Sequence, residues 1–245
     1  MSAPLWVAEL AAEFWRRAGA AEPFPRRLRA PLARGGFELA VRTTTGLTVR
    51  AAEEYLARLG VGRAAASPDR PLRACLVAFA GSGLIFLDAN DSPAEQTFSL
   101  AHEVAHFLRD YWRPRLRAVT ALGAEVLQVL DGARLPRTDE RLHAVLRGAP
   151  VGAHVHLMAR DEYGMSPAVA AAERDADRLA FELLAPDDQV RVRLAAGTGA
   201  TEAAAVLRDA FGLSGAAAET YAEVLFPPVP PPDPLLARLR AAAKR

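Results

Sequence analysis

The sequence has one cysteine, one lysine and no long apolar run. The single Cys75 excludes an intramolecular disulfide, and its apolar surroundings predict a buried side chain rather than a nucleophile. No apolar run approaches the roughly 20 residues of a membrane-spanning helix, and no N-terminal segment has the pattern of a secretion signal. The net charge of +1 provides no long-range attraction for nucleic acid or an anionic membrane. These absences predict a cytoplasmic protein that does not bind membranes.

The bulk composition is that of a folded protein. The chain has 245 residues, of which 51% are hydrophobic, so it can bury a sizeable core without disulfides. This length suits one domain with an appendage, or two small domains.

The most informative motif is an HExxH sequence at residues 102–106. On a helix, His102 and His106 lie one turn apart on the same face, so both can bind one tetrahedral ion. Glu103, about 100° further round the helix, can act on the attacking water instead. Two ordinary core histidines are the alternative, but Glu103 would then be desolvated beside them at a cost of several kcal/mol, roughly. The motif predicts a Zn²⁺ site with Glu103 as the catalytic base, and Mn²⁺ or Fe²⁺ could use the same ligands.

A second helix, predicted from Ala170 to Pro186, offers the third ligand. Glu173 and Asp177 lie one turn apart and share a face of this helix. Glu173 can therefore complete the metal shell, while Asp177 accepts a hydrogen bond from the free ring nitrogen of a ligand histidine. Surface acids are the alternative, but the small apolar residues on the same face favour packing against another helix.

Other third ligands are less suitable. A metzincin-type extension would need glycine at 109 and histidine or aspartate at 112, where this chain has Arg109 and Trp112, so that class is excluded. Asp110 could reach the ion, although three ligands from one straight helix would lie nearly in a row and fit a tetrahedron poorly. Glu162 and Asp175 are weaker candidates, because neither has a companion acid one turn away.

The group that stabilises the oxyanion of the transition state is open at this point. Four side chains are candidates: Tyr111, Tyr163, His154 and His156. The two histidines alternate on one strand face and could also bind a second metal ion, but ordinary surface or core histidines are the favoured interpretation.

The remaining pattern predicts several elements. Helices are predicted over 4–17, over 49–59 with Thr48 as its cap, from Pro93 through the HExxH motif, over 122–130 and over 141–146. Strands are predicted over 72–79 and 84–88, joined by the Gly81-Ser82-Gly83 turn, and over 155–158. Residues 111–170 are expected to form a cleft wall or lid. A basic cluster of Arg26, Arg27, Arg29 and Arg34 is expected to be a solvated loop that could contact an acidic partner or phosphate.

Two motifs together resemble the ImmA/IrrE family of metallo-endopeptidases: FSLAHEVAHFL at 98–108 and ERDADRLAFELLAP at 173–186. The matching residues are Phe98, Ala101, His102, Glu103 and His106, then Glu173, Ala176, Asp177, Ala180, Leu183, Leu184 and Pro186. Ala105 stands where the family usually has glycine, Ala185 where it has methionine, and the spacing between the motifs is longer than expected.

The resemblance implies an α+β fold, with a compact zincin-like core in which a small β-sheet packs on the HExxH helix. We assign residues 1–186 to this metallopeptidase domain. The resemblance also implies an intracellular protease that acts on helix-turn-helix repressors in stress response or mobile-element regulation.

The C-terminal part differs in composition. Residues 187–226 are predicted to form a helical, helix-turn-helix-like segment, with Gly212 at the turn and Ser214 capping the second helix. That helix carries Glu219 and Glu223 and no basic residue, so direct DNA binding is not expected. Residues 227–245 are a proline-rich linker and a basic tail.

The sequence therefore predicts a zinc endopeptidase that hydrolyses an intracellular protein substrate. The alternative is a regulatory module that retains zinc and inactivates a repressor by binding, without proteolysis. An intact Glu103 favours catalysis, because a purely structural zinc site has no use for a base. A digestive peptidase is disfavoured by the absence of a secretion signal.

Overall fold

The computed structural model describes residues 3–58, 68–141, 148–160, 166–195 and 197–227. The fold is α+β, as predicted, with one small sheet and helices on both of its faces. The strands are β1 (Leu39–Thr44), β2 (Leu72–Phe79), β3 (Ser82–Asp88) and β4 (His154–Ala159). The helices are α1 (Leu5–Arg17), α2 (Arg29–Arg34), α3 (Val49–Arg58), α4 (Pro93–His106), α5 (Arg113–Leu122), α6 (Leu127–Leu130), α7 (Pro167–Leu184), α8 (Asp187–Arg193), α9 (Ala200–Phe211) and α10 (Gly215–Leu225). A π-helical turn (Phe107–Trp112) joins α4 to α5, and a short 3₁₀ helix (Ala124–Val126) precedes α6.

The sheet has the strand order β1-β3-β2-β4. β1 runs parallel to β3, whereas β2 is antiparallel to both β3 and β4. Leu76 in the middle of β2 pairs with Ile85 on one side and with His156 on the other. Among the strands that the structure describes, β4 is therefore at an edge of the sheet, and His156 lies near its centre.

The two faces of the sheet bury different layers. Cys75, Val77 and Phe86 face α3 in a small hydrophobic cluster. The alternate residues face the main core, to which α1, α4, α7, α9 and α10 all contribute. This alternation follows from the two-residue period of a strand and leaves α4 directly beneath the sheet. Cys75 is buried, as predicted, and burial raises the pKa of its thiol.

The predicted hairpin of β2 and β3 is present, but its turn lies earlier in the chain than predicted. Ala80 and Gly81 form the two-residue connection with positive φ values of 50° and 84°, so β3 begins at Ser82 rather than at Leu84. Gly83 belongs to the strand, where a Cβ would lie 2.5 Å from the side chain of Leu39. The absent side chain is what lets β1 approach, since Leu39 pairs with Gly83.

The HExxH helix begins where the sequence predicts. Pro93 occupies the first turn, and Ser92 and Glu95 form a reciprocal capping box. At its other end, α4 passes into the π-helical turn just before Pro114. Proline has no N–H and would clash with the carbonyl of residue 110 in a regular α-helix, so the wider turn is where the helix accommodates it.

The other predicted helices have mixed outcomes. α1 and α3 are confirmed, and the Thr48 hydroxyl caps α3 by accepting a hydrogen bond from the Ala51 N–H at 3.2 Å. The helix predicted over 122–130 is confirmed in part: Gly123, with a φ of 82°, separates Leu122 at the end of α5 from the helical residues 124–130. Residues 142–146 of the helix predicted over 141–146 lie outside the described residues.

The basic cluster is not wholly a solvated loop, and that prediction is wrong for Arg26. Its guanidinium lies over the rings of Trp15 and Phe24 and donates a hydrogen bond to the Leu183 carbonyl at 2.9 Å. Flat aromatic faces and a buried carbonyl compensate for its lost hydration. Arg27 is exposed.

The C-terminal helices share the main hydrophobic core with the sheet. Gly212 ends α9 in the left-handed conformation, and the Ser214 hydroxyl accepts a hydrogen bond from the Ala217 N–H to begin α10. Tyr221 stacks on Phe181 at 4.4 Å and donates a hydrogen bond to the Ala185 carbonyl. These two contacts of Tyr221 hold α10 against the C-terminal end of α7. Within the described ranges, no helix has the length and apolar character needed to cross a membrane.

One buried acid ties the ends of three strands together. Asp88 accepts hydrogen bonds from the N–H groups of Gly46 and Asn90 and from Arg160, which follows β4 and also binds Asp91. Burial opposes the charge of Asp88, but these hydrogen bonds outweigh it and hold its pKa below the ordinary value.

We expect Asp88→Asn to lower the free energy of unfolding by about 1–3 kcal/mol, because an amide would present a donor to Arg160. Urea titration followed by circular dichroism measures this. Since the folded pKa of Asp88 is lowered, the difference should be full at neutral pH and shrink as pH falls below about 4. Asp209→Asn on the exposed surface of α9 is the control and should change little. If the Asp88→Asn variant were as stable as wild type, the hydrogen bonds of Asp88 would not contribute to the free energy of unfolding as proposed.

Candidate metal centre

α4 and α7 pack together and bring the two sequence motifs into contact. His102 and His106 are buried on α4, and Glu173 approaches from α7. The Glu173 Oε2 atom lies 3.2 Å from His102 Nε2 and 3.6 Å from His106 Nε2. The three residues predicted as metal ligands are therefore placed around a common point.

The other ring nitrogen of each histidine is hydrogen-bonded to a carboxylate. His102 Nδ1 lies 2.9 Å from Asp177 Oδ1, the arrangement predicted from the spacing of Glu173 and Asp177. His106 Nδ1 lies 2.7 Å from Asp110 Oδ2. These bonds favour the proton on Nδ1 and leave both Nε2 atoms directed at Glu173.

Asp110 has a position that sequence reasoning did not assign. It was considered as a weak metal ligand, whereas the structure places it behind the ring of His106. The signal was present, because Asp110 stands four residues after His106 and side chains at this spacing meet on a helix.

Glu103 lies beside the histidines and is completely buried. Its Oε2 atom is 2.9 Å from His156 Nδ1, and in the described part of the chain its Oε1 atom has no hydrogen-bond partner. The buried His106 Nε2 likewise has no hydrogen-bond partner among the described residues. An unsatisfied buried polar atom costs about 1–3 kcal/mol, so a cation bound at His106 Nε2 would stabilise that atom. The residues fit a metal ion.

His156 is the member of the group that the sequence leaves as a weak candidate, either for stabilising the transition state or for binding a second metal ion. An ordinary histidine was the favoured interpretation, yet its Nε2 atom lies 3.1 Å from Glu173 Oε1 and its ring stacks on that of His106 at 3.7 Å. His102, His106, His156 and Glu173 offer four ligand atoms that all lie within 4.8 Å of one another. The pairing of β4 with β2 brings His156 to this place. This long-range contact cannot be predicted from the spacing of the residues near His156.

The carboxylates of the group are stabilised by positive charge on the neighbouring imidazoles. Burial opposes protonation of His102 and His156, but their hydrogen bonds and the nearby carboxylates outweigh it and raise their pKa values to about 9 and about 10. Burial also opposes the charge of Glu173, yet the hydrogen bonds from His102 and His156 and the nearby ring of His106 hold its pKa well below the ordinary range. Protons or a metal ion can supply the charge that balances these acids.

The other candidate stabilisers are placed differently. The hydroxyl of Tyr111 is directed at the β2–β3 turn, where it accepts a hydrogen bond from the Gly81 N–H at 2.8 Å. His154 stacks on Tyr111 at 6.2 Å and is not one of the four clustered residues. Tyr163 and Glu162 lie outside the described residues.

A cleft of about 480 Å³ opens beside the group. It is lined by β4 from Val155 to Ala159 and by Ala216, Ala217 and Thr220 at the beginning of α10. His102, Glu173 and Asp177 also line it. Part of the segment predicted as a cleft wall, residues 111–170, thus reaches the cleft as a strand of the central sheet.

The comparisons with known proteins concern the same region. Residues 63–124 match the family model described as Peptidase_M78, IrrE N-terminal-like domain. This stretch contains β2, β3 and the HExxH helix but ends before Glu173. No curated protein matches the chain. The match supports a metallopeptidase-type role. It also confirms the resemblance to the ImmA/IrrE family, because the part of the chain that carries HExxH matches the IrrE N-terminal-like model.

Proposed function

We propose that this protein is a zinc-dependent endopeptidase that hydrolyses peptide bonds in an intracellular protein. The observation that carries the proposal is the convergence of His102, His106 and Glu173 on one point beside the buried Glu103. Two imidazoles and a carboxylate are the donor set of catalytic zinc sites of this kind. Mn²⁺ or Fe²⁺ could use the same ligands.

His102, His106 and Glu173 would hold the ion. The chemistry that zinc supplies when bound is polarisation of the scissile carbonyl and a lower pKa for the attacking water. Asp177 and Asp110 hold the two imidazoles in the orientation that points each Nε2 atom at Glu173. Fixed rings lose less conformational freedom on binding and are better metal donors when a carboxylate accepts the Nδ1–H.

Glu103 would be the general base. Its Oε1 atom is buried and has no hydrogen-bond partner among the described residues, so it is available to a water molecule bound at the metal centre. Glu103 would accept a proton from that water and then give it to the leaving amine of the substrate.

The substrate would bind in an extended conformation. β4 is an edge strand that lines the cleft, and an extended peptide can pair its backbone with the unpaired edge of such a strand. This places a peptide bond beside His156 and the metal ligands. A folded domain would have to expose a flexible segment to enter a cleft of about 480 Å³.

The family resemblance supports a helix-turn-helix repressor as the substrate, in the cytoplasm, with a role in stress response or mobile-element regulation. DNA binding by the protein itself is not part of the proposal. The outer face of α10 presents Glu219 and Glu223, which would repel phosphate.

A second function is favoured by one specific observation, the presence of His156 as a possible fourth ligand. A zinc site with four protein ligands is typical of structural sites, which lack an open position. The alternative is therefore a regulatory module that retains zinc and inactivates a repressor by binding. The two functions differ in whether the repressor is cut.

We expect Glu103→Gln to reduce cleavage by about 10²–10⁴-fold while zinc stays bound, because the amide cannot accept the proton. Zinc-loaded wild type and variant are incubated with a candidate repressor, fragments are identified by mass spectrometry, and bound zinc is measured by elemental analysis. Glu219→Gln on α10 is the matched control and should cleave as wild type does. Repressor released from DNA uncut, equally by wild type and Glu103→Gln, would support the regulatory module instead.

We also expect Asp177→Asn and Asp110→Asn each to weaken zinc binding by about 10–100-fold, because each removes the carboxylate that orients a ligand imidazole. Competition with a chromophoric chelator measures the affinity. Asp175→Asn is the control, since Asp175 lies on α7 but pairs with Arg178 and Arg109 instead. If all three variants bound zinc as tightly as wild type, these carboxylates would have no role in the site.

A further inference from the structure

His156 is attached to the sheet and not to either helix of the metal centre. It lies near the middle of β4, opposite Leu76 of β2. Its side chain is 14% exposed and lines the cleft. The position of its ring is therefore set by an edge strand, whereas the three proposed ligands are set by the packing of α4 against α7.

Both nitrogens of the His156 ring are engaged by acids of the centre. Nδ1 lies 2.9 Å from Glu103, and Nε2 lies 3.1 Å from Glu173. One imidazole thus contacts the proposed base and a proposed metal ligand at the same time. His154, two residues earlier on the same strand face, has a buried Nε2 with no hydrogen-bond partner in the described part of the chain and is not one of the clustered residues.

We propose that His156 is a fourth protein ligand that closes the metal site until a substrate strand enters the cleft. This inference rests on the proposed function. A tetrahedral ion with donors at about 2.0–2.2 Å keeps its ligand atoms about 3.3–3.6 Å apart. Glu173 Oε2 already lies 3.2 Å from His102 Nε2 and 3.6 Å from His106 Nε2, and the other oxygen, Oε1, lies 3.1 Å from His156 Nε2. His156 Nε2 would exchange its hydrogen bond with Glu173 for a bond to the metal.

The closed arrangement also restrains the base. While His156 Nδ1 holds Glu103 Oε2, one of the two carboxylate oxygens is unavailable to water. A peptide pairing along β4 would lie next to His156, since this strand lines the cleft. Displacement of the ring by that peptide would open the fourth position and release Glu103 in one movement. The site would then be active only when an extended segment is bound.

The test uses cobalt in place of zinc, because the visible absorption of Co²⁺ reports the number and kind of its ligands. Full-length wild type, His156→Ala, His154→Ala and His106→Ala are compared, with folding checked by circular dichroism. We expect His156→Ala to bind Co²⁺ at least about 10-fold more weakly and to show a changed spectrum. Acetohydroxamate, a small metal-binding probe, should perturb the His156→Ala spectrum at lower concentrations than wild type, since a position is open. His154→Ala should match wild type.

Two results would overturn the inference, and only the second would also overturn the proposed function. If His156→Ala matches wild type in affinity, spectrum and hydroxamate response while His106→Ala loses the metal, the site has three protein ligands and His156 does not close it. If His106→Ala also binds as wild type does, the proposed metal centre itself is wrong. Should His156→Ala misfold, His156→Gln replaces it, since its amide keeps polar contact in the cleft but is a poor metal donor.

Discussion

The packing of α4 against α7 is the constraint on which the rest of the site depends. α4 contributes two imidazoles and a carboxylate from one motif, and α7 contributes Glu173 and Asp177 from the other. Small residues such as Ala101, Ala105 and Ala176 are fully buried and permit the close approach that puts Glu173 within 3.2 Å of His102. Stability and function are coupled here, because the helix contact that builds the core also gathers the acids and histidines.

That gathering is electrostatically costly unless every charge has a counterpart. Glu103 is fully buried and Glu173 mostly so, and each is beside an imidazole that its presence makes more basic. Further from the centre, the carboxylates of Asp177 and Asp110 are paired with the Nδ1 atoms of His102 and His106. An ion bound among the Nε2 atoms would replace protons rather than add an unpaired charge, and this is why the centre suits a divalent metal.

How much of this could be predicted from the sequence depends on whether the information is local. The HExxH motif, the third acid and its companion follow from helical spacing, and the two helices that carry them begin and end at capping residues and prolines that can be read directly. β1 was missed because it is short, half polar and alternates only weakly between half-buried and exposed residues. His156 was undervalued because its role comes from the register of β4 on β2, a long-range pairing that no spacing near residue 156 encodes.

The interval between the two motifs has a role in the fold. Part of it forms β4, so this segment supplies an edge strand of the described sheet, part of the lining of the cleft and the third histidine of the cluster. The helices alone define where a metal would sit and which base would act beside it. The strand would limit which substrates can bind, because a peptide that pairs with β4 lies next to His156. Selectivity for an extended segment would therefore arise from the sheet, and the hydrolytic chemistry from the helices, with the imidazole of His156 as the contact between them.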